Sequence, residues 1–312
     1  MGIEILQTTP LPPAVEEILQ RDYQVHRLWQ APDRGALLGE VAGRVRGLVT
    51  SGSVGADRSL IEALPKLEII SSFGVGYDPI DIDCAKERGV IVTNTPDVLT
   101  DDVADIAMVL LLSVMRRIPQ GDQFVRQGLW ARGKFPLTDK MGGKVMGIVG
   151  LGRIGQAIAR RAEPFGIEIR YFGPRRKDSV PYRYYDNLVA MAKDVDILMI
   201  ACPGGKETAG IVNAAVIEAL GPKGYIVNIA RGSVVDEPAM VKALVEKKIA
   251  GAGLDVFANE PHVPQELLTL DNVALAPHVG SATHETRRAM GELVLKNLAA
   301  HFAGQPVLTR VV

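Results

Sequence analysis

Three polar side chains in the last third of the chain each follow an apolar run. Arg231 comes after Asn228-Ile229-Ala230 and opens Arg231-Gly232-Ser233. Glu260 follows Gly253-Leu254-Asp255-Val256-Phe257, and His278 closes Ala274-Leu275-Ala276-Pro277-His278. A guanidinium can grip a carboxylate through paired charged hydrogen bonds and polarise a neighbouring carbonyl. An imidazole can deliver a proton near neutral pH, and a carboxylate can fix its orientation. Ligands of open α/β sheets bind beyond the carboxyl ends of strands, so three strand-end residues of these types are expected to meet in one crevice. Each has a plainer alternative: a surface cation at Arg231, a turn at Glu260 beside Pro261, a structural imidazole at His278. The shared strand-end setting favours the chemical reading. His26, His262, His284 and His301 lack that setting, and structural or solvent roles suit them better.

A second constellation lies upstream. Val145 to Gly155 reads V-M-G-I-V-G-L-G-R-I-G, which places Gly150, Gly152 and Gly155 in the spacing G-x-G-x-x-G. An apolar strand precedes them. A helical stretch follows, with Ile154, Ile158, Ala162 and Phe165 on one face. Strand, glycines and helix in that order form the context the dinucleotide fingerprint needs. The first glycine allows a tight turn, the second admits a pyrophosphate to the backbone, and the third lets helix and strand pack closely. The helix N-terminus then offers amide donors to phosphate.

The next strand end discriminates between cofactors. NAD enzymes place an acid about 20 residues on, where it binds the ribose 2′-hydroxyl. Here Ile169-Arg170-Tyr171-Phe172 runs into Gly173-Pro174-Arg175-Arg176-Lys177. No acid stands there and three cations do. Arg175 and Arg176 can grip a 2′-phosphate that a carboxylate would repel. NADP, with NADPH preferred over NADH, is therefore the expected cofactor; ordinary solvated surface charge is the alternative for this run.

The elements that must position these residues are legible in outline. Short apolar strands are predicted at 3–6, 23–28, 47–50, 67–72 and 90–93, with helices at 12–20, 59–64 and 80–86 between them. Such alternation argues for a parallel sheet covered on both faces. Thr100 reads as an N-cap, with Asp101 and Asp102 in the first turn of a helix to about Arg117, which Pro119 and Gly121 end. Residues 120–140, polar and aromatic, are expected to form a functional loop or interface arm. Further strands are predicted at 145–149, 168–172, 196–201, 225–229, 253–256 and 273–276. A last helix over 286–302 aligns Met290, Val294, Leu298 and Phe302.

Composition excludes other classes. The 312 residues include 35 basic and 36 acidic side chains, net charge −1, with 47% hydrophobic and 23% charged residues. That length suggests about two domains, and the balance argues against a polybasic nucleic-acid or membrane-surface protein. Two cysteines, Cys84 and Cys202, fall in no C-x-x-C pair, so a disulfide scaffold and a cysteine zinc site are not expected. The longest apolar run, 107–115, is too short to span a bilayer, which takes about 20 residues. No signal peptide or myristoylation pattern is found, and a cytoplasmic protein is expected. H-E-x-x-H, G-x-S-x-G and Walker A sequences are missing, and no metal is expected.

The motifs together resemble the D-2-hydroxyacid dehydrogenases. Besides Gly150-Leu151-Gly152-Arg153-Ile154-Gly155, the likeness rests on Asn228-Ile229-Ala230-Arg231-Gly232, Gly253-Leu254-Asp255-Val256-Phe257, Glu260-Pro261 and Pro277-His278-Val279-Gly280-Ser281. Phe73-Gly74-Val75-Gly76-Tyr77-Asp78 and Asn94-Thr95-Pro96 extend it over nearly the whole chain. Within the family the sequence is most similar to glyoxylate/hydroxypyruvate reductases, and also to plant hydroxyphenylpyruvate reductases.

The resemblance implies an α/β fold of two doubly wound parallel-sheet domains. A Rossmann coenzyme domain, 99–286, would be inserted in a flavodoxin-like substrate domain, 1–98 and 287–312, with hinges near 96–100 and 283–287. It implies Arg231, Glu260 and His278 as the catalytic set, with His278 as general acid. Val75, Gly76, Arg231 and His278 would hold the substrate. The cofactor would meet Thr100, Gly150, Leu151, Gly152, Arg153, Ile154, Gly155, Arg175, Arg176, Cys202, Pro203, Thr208, Ile229, Ala230, Asp255 and Gly280. The implied reaction is NADPH-dependent reduction of glyoxylate and hydroxypyruvate to D-2-hydroxy acids. Alternatives are a bulkier ketoacid such as hydroxyphenylpyruvate, or a cofactor-sensing corepressor-like role. A homodimer is implied through the 100–117 helix and the 120–140 arm, with Trp130 either reaching the partner's active site or packing in its own core.

Overall fold

The computed structural model describes residues 2–312 and divides into two compact units: Met1–Leu99 with Ser281–Val312, and Thr100–Gly280. The second is thus inserted in the first. Residues 281–286 fall with the first unit rather than the second, because the Thr283 hydroxyl accepts the Thr286 amide at 3.2 Å and so begins the last helix.

The first unit holds a five-stranded parallel sheet of β1 (Glu4–Gln7), β2 (Gln24–Arg27), β3 (Val45–Ser51), β4 (Ile69–Phe73) and β5 (Ile91–Thr93), in the order β2-β1-β3-β4-β5. Its register aligns Leu6, Leu48, Ile70 and Val92 across four adjacent strands, all fully buried. Such near-continuous apolar strands are what a sheet covered on both faces requires. On the other face the helix His284–Phe302 packs over β4 with Met290, Val294 and Leu298 buried, while Phe302 is only half-buried.

The second unit carries seven parallel strands: β6 (Val145–Val149), β7 (Glu168–Phe172), β8 (Arg183–Tyr185), β9 (Ile197–Ile200), β10 (Tyr225–Asn228), β11 (Gly251–Leu254) and β12 (Val273–Leu275). Their order is β12-β11-β10-β9-β6-β7-β8. The order reverses between β6 and β9, and a crevice for ligands opens at such a point, at the carboxyl ends of the strands. The helix Thr100–Arg116 packs against β10, β11 and β12 and against the helix Arg153–Ala162.

Three features depart from the expected elements. Residues 118–126 form a helix rather than a loop. Arg117 turns left-handed (φ 51), and Pro119 then sits in the first turn, where its missing N–H costs nothing. That helix buries no residue, so it leaves no apolar stripe to read. The edge strand β8 is short and polar, and it forms by pairing with β7. Phe165 lies exposed in a 3-10 turn instead of joining the buried face of Ile158 and Ala162.

Candidate active site

Arg231, Glu260 and His278 follow β10, β11 and β12, three adjacent strands whose ends are in register through Asn228–Leu254 and Leu254–Leu275. Short loops hold each residue. Asn228 braces the first loop: its Oδ1 accepts the Ala230 amide at 3.0 Å and its Nδ2 donates to the Arg231 carbonyl at 2.9 Å. The Arg231 Nη1 donates to the Ala230 carbonyl at 2.7 Å. A Cβ built on Gly232 would stand 2.0 Å from the Phe257 carbonyl carbon, so only glycine lets the Arg231 loop lie against the Glu260 loop. That second loop is held by Glu237, whose carboxylate accepts the Ala258 amide at 3.0 Å.

Glu260 links the set. Its Oε1 accepts the Phe257 amide at 3.1 Å, and its Oε2 lies 2.7 Å from His278 Nδ1. Among the described residues the His278 Nε2 has no hydrogen-bond partner, and the side chain is 39% exposed. A carboxylate on Nδ1 fixes a proton there and turns the other ring nitrogen outward.

His278 has a left-handed backbone (φ 53), rare for a non-glycine residue. Asp255, almost fully buried, secures it. Its carbonyl accepts the His278 amide at 2.8 Å, and its two carboxylate oxygens accept the Val279 and Gly280 amides at 2.8 Å each. Burial pushes the Asp255 carboxyl above its ordinary range, and the two amides pull it back.

The G-x-G-x-x-G segment occupies the turn after β6. Gly150 has φ 94, and a Cβ there would stand 2.6 Å from Cys202 Cα, at the end of β9. A Cβ on Gly155 would stand 2.3 Å from the Gly150 carbonyl oxygen, so the helix packs tightly on the turn. At Gly152, by contrast, a Cβ would meet nothing within 4 Å, and no side chain caps the helix that begins at Arg153. An open cradle over uncapped helix amides, at the sheet's switch point, fits a dinucleotide pyrophosphate. Nearby, the Thr208 hydroxyl donates to the Pro203 carbonyl at 2.7 Å. Arg175 and Arg176 are exposed on the turn after β7; among the described residues Arg176 pairs with Asp178, at 3.8 Å.

In the first unit, Val75 and Gly76 form the turn after β4. Thr95 Oγ1 accepts the Gly74 amide at 3.0 Å, and Asn94 Nδ2 donates to the Val75 carbonyl at 2.9 Å. The Val75 and Gly76 amides themselves have no acceptor among the described residues.

Several side chains singled out from the sequence lie elsewhere. His26 pairs with Glu4 at 2.8 Å and His301 with Glu68 at 3.1 Å, both structural contacts. Trp130 is 69% exposed, so it does not pack in its own core. Among the described residues no group of His, Cys, Asp and Glu is placed to hold a metal ion, and no helix is long and apolar enough to cross a membrane. Asn228 and Glu237 brace the Arg231 and Glu260 loops of the second unit, and Asn94 and Thr95 brace the Val75 turn of the first; none of the four was assigned a role from sequence. Asn228 and Asn94 stand within motifs already noted; Glu237 carries no local signal.

Residues 108–280 match the family model described as D-isomer specific 2-hydroxyacid dehydrogenase, NAD binding domain. The chain is 52% identical to hydroxyphenylpyruvate reductase of Plectranthus scutellarioides over 311 residues, covering 100% of this chain and 99% of the relative. It is 50% identical, with the same coverage, to glyoxylate/hydroxypyruvate reductase A of Arabidopsis thaliana. Among solved structures, the NADPH-dependent glyoxylate/hydroxypyruvate reductase of Sinorhizobium meliloti, in complex with NADP and malonate, is similar with a TM-score of 0.94. Its sequence identity is 46%, over 100% of this chain and 97% of that one.

Proposed function

Because this chain belongs to the D-isomer-specific 2-hydroxyacid dehydrogenases, we propose that it reduces glyoxylate and hydroxypyruvate to D-2-hydroxy acids with NADPH. The observation that carries the reading is the 2.7 Å bond between Glu260 Oε2 and His278 Nδ1, which leaves Nε2 as the outward-facing proton donor.

Each residue then has a task. Arg231 binds the substrate carboxylate and polarises the neighbouring ketone. Val75 and Gly76 donate their amides to the same substrate. His278 gives the proton on Nε2 to the ketone oxygen as that oxygen gains charge, which makes it the general acid. Glu260 keeps the ring oriented and stabilises the charge it carries before the transfer. The reduced nicotinamide, when bound, supplies the hydride. Gly150, Gly152 and Gly155 with the first turn of the following helix hold the pyrophosphate, and Arg175 and Arg176 hold the 2′-phosphate. Asp255, just beyond β11, accepts the backbone amides of the loop that carries His278 and Gly280. The Thr100–Gly280 unit is the coenzyme domain in this reading, and the other unit is the substrate domain.

The 52% identical hydroxyphenylpyruvate reductase supports a second reading at the level of substrate side chain, with the same chemistry. Initial rates of NADPH and NADH oxidation with glyoxylate, hydroxypyruvate and hydroxyphenylpyruvate test both. The expected order is glyoxylate or hydroxypyruvate with NADPH first. A higher kcat/KM for hydroxyphenylpyruvate overturns the small-substrate reading, and no turnover of any ketoacid overturns the enzyme reading.

A further inference from the structure

A pair of tyrosines holds the first half of the connection from β7 to β8. Tyr171 on β7 and Tyr184 on β8 are direct cross-strand partners, with ring centroids 5.3 Å apart. The hydroxyl oxygen of Tyr171 accepts the Lys177 backbone amide at 2.7 Å. The Tyr184 hydroxyl donates to the Gly173 carbonyl at 3.0 Å. Tyr171 is among the largest fully buried side chains, so its hydroxyl is a fixed point rather than a mobile surface group. The two bonds bracket the segment Gly173–Lys177, which carries Arg175 and Arg176.

We propose that Tyr171 and Tyr184 are specificity-positioning residues that hold the Gly173–Lys177 turn in the shape in which Arg175 and Arg176 meet a ribose 2′-phosphate. The proposal rests on the NADPH reading above and deepens it. A turn ordered in advance loses less conformational freedom when the phosphate arrives, so the phenols act on affinity through preorganisation. They add no charge and make no contact with the reacting atoms. Their effect therefore falls on ligands that carry the 2′-phosphate and spares ligands that lack it.

The variants are Tyr171→Phe and Tyr184→Phe, which keep the rings and remove one hydrogen bond each. The readout is calorimetric binding of adenosine 2′,5′-bisphosphate against adenosine 5′-monophosphate, together with KM for NADPH and NADH. Each variant is expected to weaken the bisphosphate about two- to tenfold, the range for one net hydrogen bond. Affinity for the monophosphate, KM for NADH and kcat at saturating NADPH stay as in the parent. In an Arg175→Ala, Arg176→Ala background the tyrosine variants add no further loss, because the groups they position are gone.

Equal weakening of both nucleotides, a further loss in the arginine-free background, or unchanged binding in both tyrosine variants overturns the proposal. If the parent prefers NADPH and the arginine variant loses that preference while the tyrosine variants keep it, only the tether falls. If the parent binds the two nucleotides equally, the cofactor reading falls and the tether with it.

Discussion

The amide of His278 donates to the carbonyl of Asp255 at 2.8 Å, and the Asp255 carboxylate takes the next two amides of the same loop. One buried residue thus pins three consecutive backbone donors and holds His278 at φ 53. Strained backbone of this kind persists only where its surroundings over-determine it. Asp255→Asn sets an NH2 group against a backbone N–H and leaves a donor unmet, at a cost of about 1–3 kcal/mol. Steady-state kinetics and thermal melts are expected to show kcat lowered by about 10- to 100-fold and a lower Tm. A kcat near that of the parent contradicts the positioning role.

Glu260 and His278 act as a unit in the proposed mechanism, which gives them a non-additive signature. In Glu260→Gln the side-chain carbonyl can still accept the Phe257 amide, but the NH2 then faces His278 Nδ1. A ring nitrogen that receives a proton donor cannot carry its own proton, so the charged ring is lost; Nε2–H remains, but the neutral ring is a far weaker acid. His278→Ala is expected to cut kcat by about 10²–10⁴, the range for removing a general acid. Glu260→Gln has a smaller effect, and the double variant is no worse than His278→Ala alone. NADPH binding, followed by fluorescence, remains in all three. Additive losses would show that the two residues work separately.

Gly232 joins the loops that carry Arg231 and Glu260. A methyl group there would stand 2.0 Å from the Phe257 carbonyl carbon, and backbone cannot step aside as a flexible side chain does. Gly232→Ala is expected to destabilise the protein by about 1–3 kcal/mol, as overpacking does, and to lower kcat/KM because both loops shift. Urea denaturation and kinetics check this, with exposed Ser233→Ala as the control. Normal stability in Gly232→Ala would mean that the two loops can part without cost.

The strands that carry the site were legible because each is an apolar run ending in a polar residue. Val145–Val149 and Glu168–Phe172 form as expected, and Arg231, Glu260 and His278 stand beyond adjacent strand ends. Elements without a buried face were not legible: the exposed Ile118–Arg126 helix offers no periodicity, and Arg183–Tyr185 is a strand only because β7 lies beside it. The braces were hidden for a related reason. Glu237 reaches the Ala258 amide 21 residues away and Tyr184 reaches back to Gly173, and no local pattern encodes such contacts.

The Ile118–Arg126 helix and the stretch after it expose apolar groups: Ile118, Val125, Trp130 and Leu137, the last fully. Large apolar groups exposed along one such segment are candidates for an interaction surface. In line with the dimer implied by the family likeness, light scattering on the purified protein is expected to give twice the monomer mass. A Val125→Ser, Trp130→Ser double variant, which alters no buried residue of its own chain, shifts the equilibrium towards monomer. A monomer at all concentrations would overturn the dimer that the family likeness implies.

Acid should weaken the fold through two carboxylates of the first unit. His26 hydrogen-bonds Glu4 and, with Arg44, holds its carboxyl below the ordinary 4.5; Arg46, with His301, does the same for Glu68. These pairs tie β1 to β2 and the start of β4 to the last helix. A carboxylate whose pKa is lower in the folded than in the unfolded state contributes stability above its unfolded pKa, and that stability is lost as pH falls through the folded value. Tm is therefore expected to hold from neutral pH to about pH 5 and then to drop as both groups take up protons. A Glu4→Gln, Glu68→Gln variant starts lower at neutral pH and loses less on acidification, so the two curves converge. Parallel curves would place the acid sensitivity in other groups.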